Sequence, residues 1–220
     1  MNRLYFIDNL RGFAFVLMVM HHIVFFNDAS NNFTTNYSSN IIIEIIGYIA
    51  RTIFILLVGV SLGLFNKQNK IKNRFKRSME ILVHGFLISI TTYIFYPNLW
   101  IRFGVLHFIA LTSFVCSFIS PYKYLTIILF IISLFLKFPI TNTFLDIITG
   151  SDTKHTMLDW FPLQKWLPIV LLGIILGQNL NFNIESKKNI LTYFGKNALN
   201  LYTIHVIFLI IFYYIIKKYI

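Results

Sequence analysis

Apolar residues fall into seven runs, 4–26, 41–65, 79–96, 101–119, 122–138, 162–180 and 198–216, separated by polar stretches. A helix needs roughly 20 such residues to cross a hydrocarbon core of about 30 Å. The pattern predicts an all-α fold, a polytopic membrane bundle of about seven transmembrane helices built as a single domain over 1–220. No internal repeat is visible.

Composition strengthens that reading. Of the 220 residues, 57% are hydrophobic and 12% charged, and the mean hydropathy of +0.70 exceeds what water-soluble domains of this length reach. A net charge of +11 suggests nucleic acid in a soluble domain, but here the basic residues cluster between apolar runs. Nucleic acid is set aside. Arg3, Lys67, Lys70, Lys72, Arg74, Lys76, Arg77, Lys123, Lys187, Lys188 and Lys196 fall on one side, against Lys137, Lys154, Lys165, Lys217 and Lys218 on the other. Basic residues resist translocation, so the N-terminus is expected in the cytoplasm and the C-terminus outside. Trp100, Trp160 and Trp166 then mark an outer aromatic belt. The first run holds Asp8, Arg11 and two histidines and lacks a small-residue cleavage site, so it reads as a retained span rather than a secretory signal. Cys116 is the one cysteine, which excludes an internal disulfide and a thiolate metal cluster.

The outer segment 27–40 carries two acceptor sequons, Asn32-Phe33-Thr34 and Asn36-Tyr37-Ser38, which matter only in a host that glycosylates. Segment 139–161 is the longest polar connection, and its Asp146, Asp152, His155 and Asp159 are candidates for an outer mouth.

Charges inside apolar runs are the first candidates for chemistry. A central Arg costs about 2.5–3.5 kcal/mol on insertion scales, so it needs a partner, a wet cavity or a task. At 100° per residue, Arg11 and His22 lie within about 20° of one face of the first helix, about 16 Å apart along its axis. Asp8, three residues before Arg11, is placed to pair with it. His21 points about 80° away from that stripe. Glu44 and Arg51, seven apart, share a face of the second helix and are expected to pair. In the fourth helix Arg102 and His107 stand about 140° apart, so they are not expected to line one row. His84 and His205 read as core histidines bonded across helices.

Two motifs are discounted. Gly59-Val60-Ser61-Leu62-Gly63 matches G-x-S-x-G, but a nucleophile elbow needs a strand, a sharp turn and a helix, and these residues lie within an apolar helical run. Gly59 and Gly63, with Gly173 and Gly177, read instead as G-x-x-x-G helix-packing motifs. A retinal protein would need a lysine within 198–216, and there is none.

Five blocks then occur in order: Ile7-Asp8-Asn9-Leu10-Arg11-Gly12 through Met18 to His22; Phe54 to Leu62; Ile101-Arg102-Phe103-Gly104-Val105-Leu106-His107; Asp159-Trp160-Phe161-Pro162-Leu163 through Trp166 to Gly173; and Phe194-Gly195-Lys196-Asn197-Ala198-Leu199 with Tyr202 and His205. Together they resemble the heparan-α-glucosaminide N-acetyltransferase catalytic-domain family, in its short prokaryotic-type branch. The resemblance implies a membrane acyltransferase that takes an acetyl or other acyl group from acyl-CoA at the cytoplasmic side and passes it to a sugar or glycan-like acceptor outside, without a metal. The Arg11-x10-His22 spacing is similar to the signature of the superfamily's other large branch. Carried onto this chain, the catalytic set is His22, His107, Arg102 and Asp159, and the acyl-CoA set is Asp8, Arg11 and Arg51. Whether His22 or His107 acts, and whether it deprotonates the acceptor or carries the acyl group transiently, stays open. The chain departs from the lysosomal enzymes in having no histidine between 23 and 83, so their mechanism does not transfer intact. The partners implied are the bilayer, acyl-CoA and the acceptor, and a homodimer stays open. The rival readings are a small multi-pass transporter, which the same buried charges would serve, and a non-catalytic partner subunit.

Overall fold

The computed structural model describes residues 4–31, 33–64, 71–141, 144–151, 156–180 and 186–219. Each of the seven apolar runs holds a helix: α1 (Tyr5–Ser30), α2 (Ile41–Leu64), α3 (Ile71–Phe95), α4 (Val105–Ile119), α5 (Lys123–Phe135), α7 (Leu163–Asn179) and α9 (Ala198–Tyr219). Two short helices, α6 (Phe144–Thr149) and α8 (Ile190–Lys196), lie in the polar connections. Among the described residues, four helices, α1, α2, α3 and α9, are long and apolar enough to cross a membrane. The 15 residues of α4 and 13 of α5 span roughly 20 Å at 1.5 Å per residue, less than a full hydrocarbon core.

Contacts divide the chain into two compact units, Met1–Phe54 with Ile90–Pro97 and Phe182–Ile220, and Ile55–Ser89 with Asn98–Asn181. In the first unit, α1 packs against α8 and α9. Glycines allow the closest approach: a Cβ on Gly195 would stand 1.8 Å from the Asp8 carbonyl oxygen, and one on Gly12 would stand 2.0 Å from that of Leu191. Asn9 ties the same two segments, its amide donating to Ser186 Oγ at 2.7 Å and its oxygen accepting from Thr192 Oγ1 at 2.5 Å. Thr192 also closes a reciprocal cap with Asn189 at the start of α8. The opening Ile7-to-Gly12 block and the Phe194-to-Leu199 block are therefore one packing unit. At the other end of α1, the fully buried Asp28 carboxylate accepts from Thr35 Oγ1 at 2.6 Å and Ser38 N at 2.5 Å, folding the connection to α2 back onto the helix. Of the two sequons, Asn36 is exposed with a left-handed φ of 44°, and Asn32 lies outside the described residues.

In the second unit, the glycines of α2 and α7 meet backbone to backbone. A Cβ on Gly59 would lie 2.1 Å from Val170 O, and one on Gly173 would lie 2.3 Å from Leu56 O. Ser61 Oγ donates to Leu57 O, one turn back in its own helix. The G-x-x-x-G reading holds and the nucleophile elbow does not. Gln178 of α7 reaches Ser120 O at 2.7 Å, at the turn leading into α5.

The structure corrects two expectations here. Residues 101–104 are not helical, so Arg102 precedes α4 and the 140° separation from His107 does not apply. The reason is a cap from elsewhere in the chain: Asp159 Oδ2 accepts from Val105 N at 2.9 Å, satisfying a first-turn N–H and favouring the helix dipole. Trp166 is 2% exposed, not a belt residue. Its ring stacks on Phe161 at 4.9 Å, the residue before the Pro162 cap, as a hydrophobic staple fixing entry into α7.

Replacing Asp159 by Ala is expected to lower stability by about 0.5–2 kcal/mol through loss of this cap, and Asp159→Asn, which keeps an accepting oxygen, to lose less. Thermal unfolding of the detergent-purified protein checks both; equal loss in the two variants would show that the cap is not what holds α4.

Candidate functional site

The candidate residues fall into two groups, one in each unit. In the first unit, α1 carries Asp8, Arg11, His21 and His22. Arg11 Nη1 donates to Asp8 Oδ1 at 3.1 Å, the pair expected from their spacing. Asp8 is buried at 5% exposure while Arg11 is half-buried, and Asp8 also occupies the first helical turn, where a carboxylate is favoured by the dipole.

His22 and His205, on α1 and α9, approach to 2.9 Å between Nδ1 and Nε2. Their rings are 16° from parallel with centroids 5.2 Å apart, the separation that two coplanar imidazoles joined edge to edge by one hydrogen bond would show. His205 Nδ1 lies 3.0 Å from Leu201 O of its own helix. Aromatic edges hold the pair: Phe15 and Tyr202 against His205 at 5.4 and 5.3 Å, and Phe26 against His22 at 5.8 Å. His205 is thus a core histidine bonded across helices, as its sequence context suggests. Its partner is the residue singled out as a base.

His21 faces a different neighbour. Its ring lies against Gly47 of α2, where a Cβ would come within 2.3 Å of it, and stacks on Phe25. With Phe25, Ser38, Ser39, Ile41, Glu44, Ile45, Tyr48 and Arg51 it lines a cleft of about 480 Å³ between the end of α1 and the start of α2. Glu44 and Arg51 share this cleft but form no ion pair. Arg51 instead turns its Nε–H back to Gly47 O at 2.9 Å, one helical turn away. A rise of about 10 Å over seven residues leaves the two heads apart unless both side chains stretch toward each other. Burial of Gly47 beneath His21 has no local sequence signature; only the small residue at 47 hints at it.

In the second unit, His107 on α4 is 7% exposed and enclosed by Phe86, Phe103 and Gly85. Its Nε2 stands 3.5 Å from Ser89 Oγ, which already donates to Ile101 O at 2.6 Å. Arg102 Nη2 donates to Thr156 O at 3.1 Å. Asp159, half-buried, caps α4, and Asp146 is buried with bonds from Thr141 and Ser151. Asp152 and His155 lie outside the described residues.

The basic stretch after α2 is partly engaged: Arg74 donates to Ser117 O, and Arg77 pairs with Glu80 at 2.8 Å on an exposed face. Arg3, Lys67, Lys70 and Lys154 lie outside the described residues, and the side chain of Lys72 with them. Among the described residues, no three His, Cys, Asp or Glu side chains gather as a metal site would require, and Cys116 is buried.

No curated protein and no solved structure matches the chain. A family model does, that of the heparan-alpha-glucosaminide N-acetyltransferase catalytic domain, over residues 3–207. That interval contains every one of the five blocks, the paired histidines of α1 and α9, and the cleft between α1 and α2. This chain is a multi-pass integral membrane protein that belongs to the heparan-alpha-glucosaminide N-acetyltransferase catalytic-domain family, a family of membrane acetyltransferases.

Proposed function

We propose that the chain transfers an acetyl or other acyl group from acyl-CoA to the hydroxyl or amine of a sugar-like acceptor, with His22 as the general base. The observation that carries this reading is the His22–His205 hydrogen bond within a chain of this family: a polar pair on two membrane helices, held by aromatic edges. An imidazole there can take the proton that an attacking hydroxyl or amine must lose.

The donor is assigned to the opposite end of α1. Arg11 lies about 16 Å along the helix from His22, and a guanidinium suits the phosphates of CoA because its planar fork bonds two oxygens at once. The N-terminus is then cytoplasmic, in keeping with the excess of Lys and Arg on that side. The acceptor is assigned to the cleft of His21, Glu44, Tyr48 and Arg51, whose His21 ring stands 5.7 Å from that of His22, so that a group held there at the His21 end is beside the base; aromatic faces there sit beside charged and hydroxyl groups, a surface suited to a sugar's apolar faces and its hydroxyls.

The test uses purified protein in vesicles, given acetyl-CoA on one side and glucosamine as the probe acceptor. Release of free CoA that depends on the acceptor is the expected result, with Arg11→Ala raising KM for acetyl-CoA about tenfold by removing ground-state binding. Ion-coupled flux without CoA release would overturn the reading in favour of a transporter.

A further inference from the structure

Three groups in the first unit stand in series: the Leu201 carbonyl, the His205 imidazole and the His22 imidazole. A carbonyl oxygen only accepts, so the contact of 3.0 Å requires a hydrogen on His205 Nδ1. In a neutral imidazole the other nitrogen then has only a lone pair. His205 Nε2 therefore accepts, and the hydrogen shared at 2.9 Å belongs to His22 Nδ1. That in turn leaves His22 Nε2 with a bare lone pair and, among the described residues, no hydrogen-bond partner. Histidine free in water prefers the opposite tautomer, with its hydrogen on Nε2. The protein has imposed the less common form, and the origin of the imposition is a backbone carbonyl on α9.

We propose that His205 is a positioning residue that locks His22 as the Nδ1–H tautomer and thereby makes His22 Nε2 the basic atom of the site. What that atom does rests on the acyltransferase reading; which atom it is does not. In the transfer, the acceptor's oxygen or nitrogen bonds to the thioester carbonyl carbon as its proton moves to His22 Nε2. The carbon–sulfur bond then breaks, and the departing CoA thiolate takes that proton back. Between the two steps, positive charge on His22 is shared through its Nδ1–H with His205, whose own Nδ1–H leans on the Leu201 carbonyl. The logic is that of any base oriented by a third group.

Nitrogen-15 NMR of histidine-labelled protein in nanodiscs reads the tautomer directly, with the His22 signals identified by their loss in His22→Gln. The expected result is a protonated Nδ1 and an unprotonated Nε2 on His22 in the wild type. His205→Leu should return His22 to the Nε2–H form while the signals of the other four histidines stay in place. His205→Gln, whose side-chain oxygen can accept where Nε2 did, should keep the Nδ1–H form. A merely structural role for His205 would leave the tautomer alone. A wild-type His22 with its hydrogen on Nε2 overturns the proposal without any variant having to fold, and so does an Nδ1–H form that survives in His205→Leu. In turnover, kcat should fall about 10²-fold in His205→Leu, with partial rescue in His205→Gln and KM for acetyl-CoA nearly unchanged. An unchanged kcat alongside a switched tautomer overturns the catalytic consequence. Wild-type protein that transfers nothing defeats the acyltransferase reading instead, and the tautomer measurement still decides the relay.

Discussion

His22→Gln should lower acyl transfer by about 10²–10⁴-fold, the range that a positioned general base contributes, while the protein remains folded. Glutamine approximates the size of the imidazole and can still donate to His205 Nε2 at the place of the present 2.9 Å hydrogen bond, so the α1–α9 contact has a substitute. It has no nitrogen lone pair to take a proton. The loss should therefore appear in kcat, with KM for acetyl-CoA little changed, since a base acts on the transition state rather than on donor binding. His107→Gln supplies the contrast. His107 is enclosed by Phe86, Phe103 and Gly85, and its Nε2 stands 3.5 Å from a serine hydroxyl that is committed elsewhere. A packed ring of that kind predicts lost stability with a smaller effect on rate. CoA release per folded molecule, with folding followed by size-exclusion chromatography, separates the two. A His22→Gln protein that is folded and transfers acetyl at the wild-type rate would remove His22 as the base, and a rate loss confined to His107→Gln would move the chemistry to the second unit.

The reach of the sequence here follows the range of the forces involved. Burying apolar side chains in a bilayer is a local property of each run, so the helices stand where the hydrophobic pattern puts them. Helical periodicity is local too, which is why the Asp8–Arg11 pair at i,i+3 and the glycine faces of α2 and α7 could be read in advance. What escaped prediction depends on groups distant in the chain. Hydropathy alone carries α4 back to Ile101, yet the helix starts at Val105 because a carboxylate 54 residues later caps it. Trp166 looks like an interfacial residue until Phe161 is seen to cover it.

The candidate site divides in the same way. His22 is visible in the sequence because its stripe with Arg11 lies on one helix. The partnership with His205 spans 183 positions and has no periodic signature, so His205 could be read as a core histidine but not as the partner of His22. Glu44 and Arg51 show the converse limit: a shared face does not make a pair when the guanidinium has a backbone carbonyl within its own turn. Asn9 has no helical-face or charge signature, and its role, tying α1 to the 186–192 segment, is set by residues about 180 positions away.

Gly59→Leu should be the most damaging single change to the fold among those considered, and Gly173→Leu its equal. At these positions the backbones of α2 and α7 touch, with Gly59 Cα and Gly173 Cα each 2.9 Å from where the other's Cβ would be. The first atom of any side chain would also fall 2.1 Å from Val170 O or 2.3 Å from Leu56 O, and neither is the yielding end of a flexible group. Between membrane helices there is little hydrophobic force to recover the contact once they part, because lipid tails are as apolar as leucine; close backbone packing is itself what holds them together. Overpacking a core typically costs about 1–3 kcal/mol, and here the helices must separate along a seam that Gly63 and Gly177 continue one turn further. Yield of monodisperse protein and its melting temperature should both drop sharply. Ser61→Ala, in the middle of the same five residues, should retain folding and acyl transfer, since Ser61 Oγ donates to the Leu57 carbonyl one turn back in its own helix. If Gly59→Leu is as stable as the wild type, the seam does not hold α2 to α7; if Ser61→Ala is folded but inert, the serine has a chemical role that its bond to Leu57 does not account for.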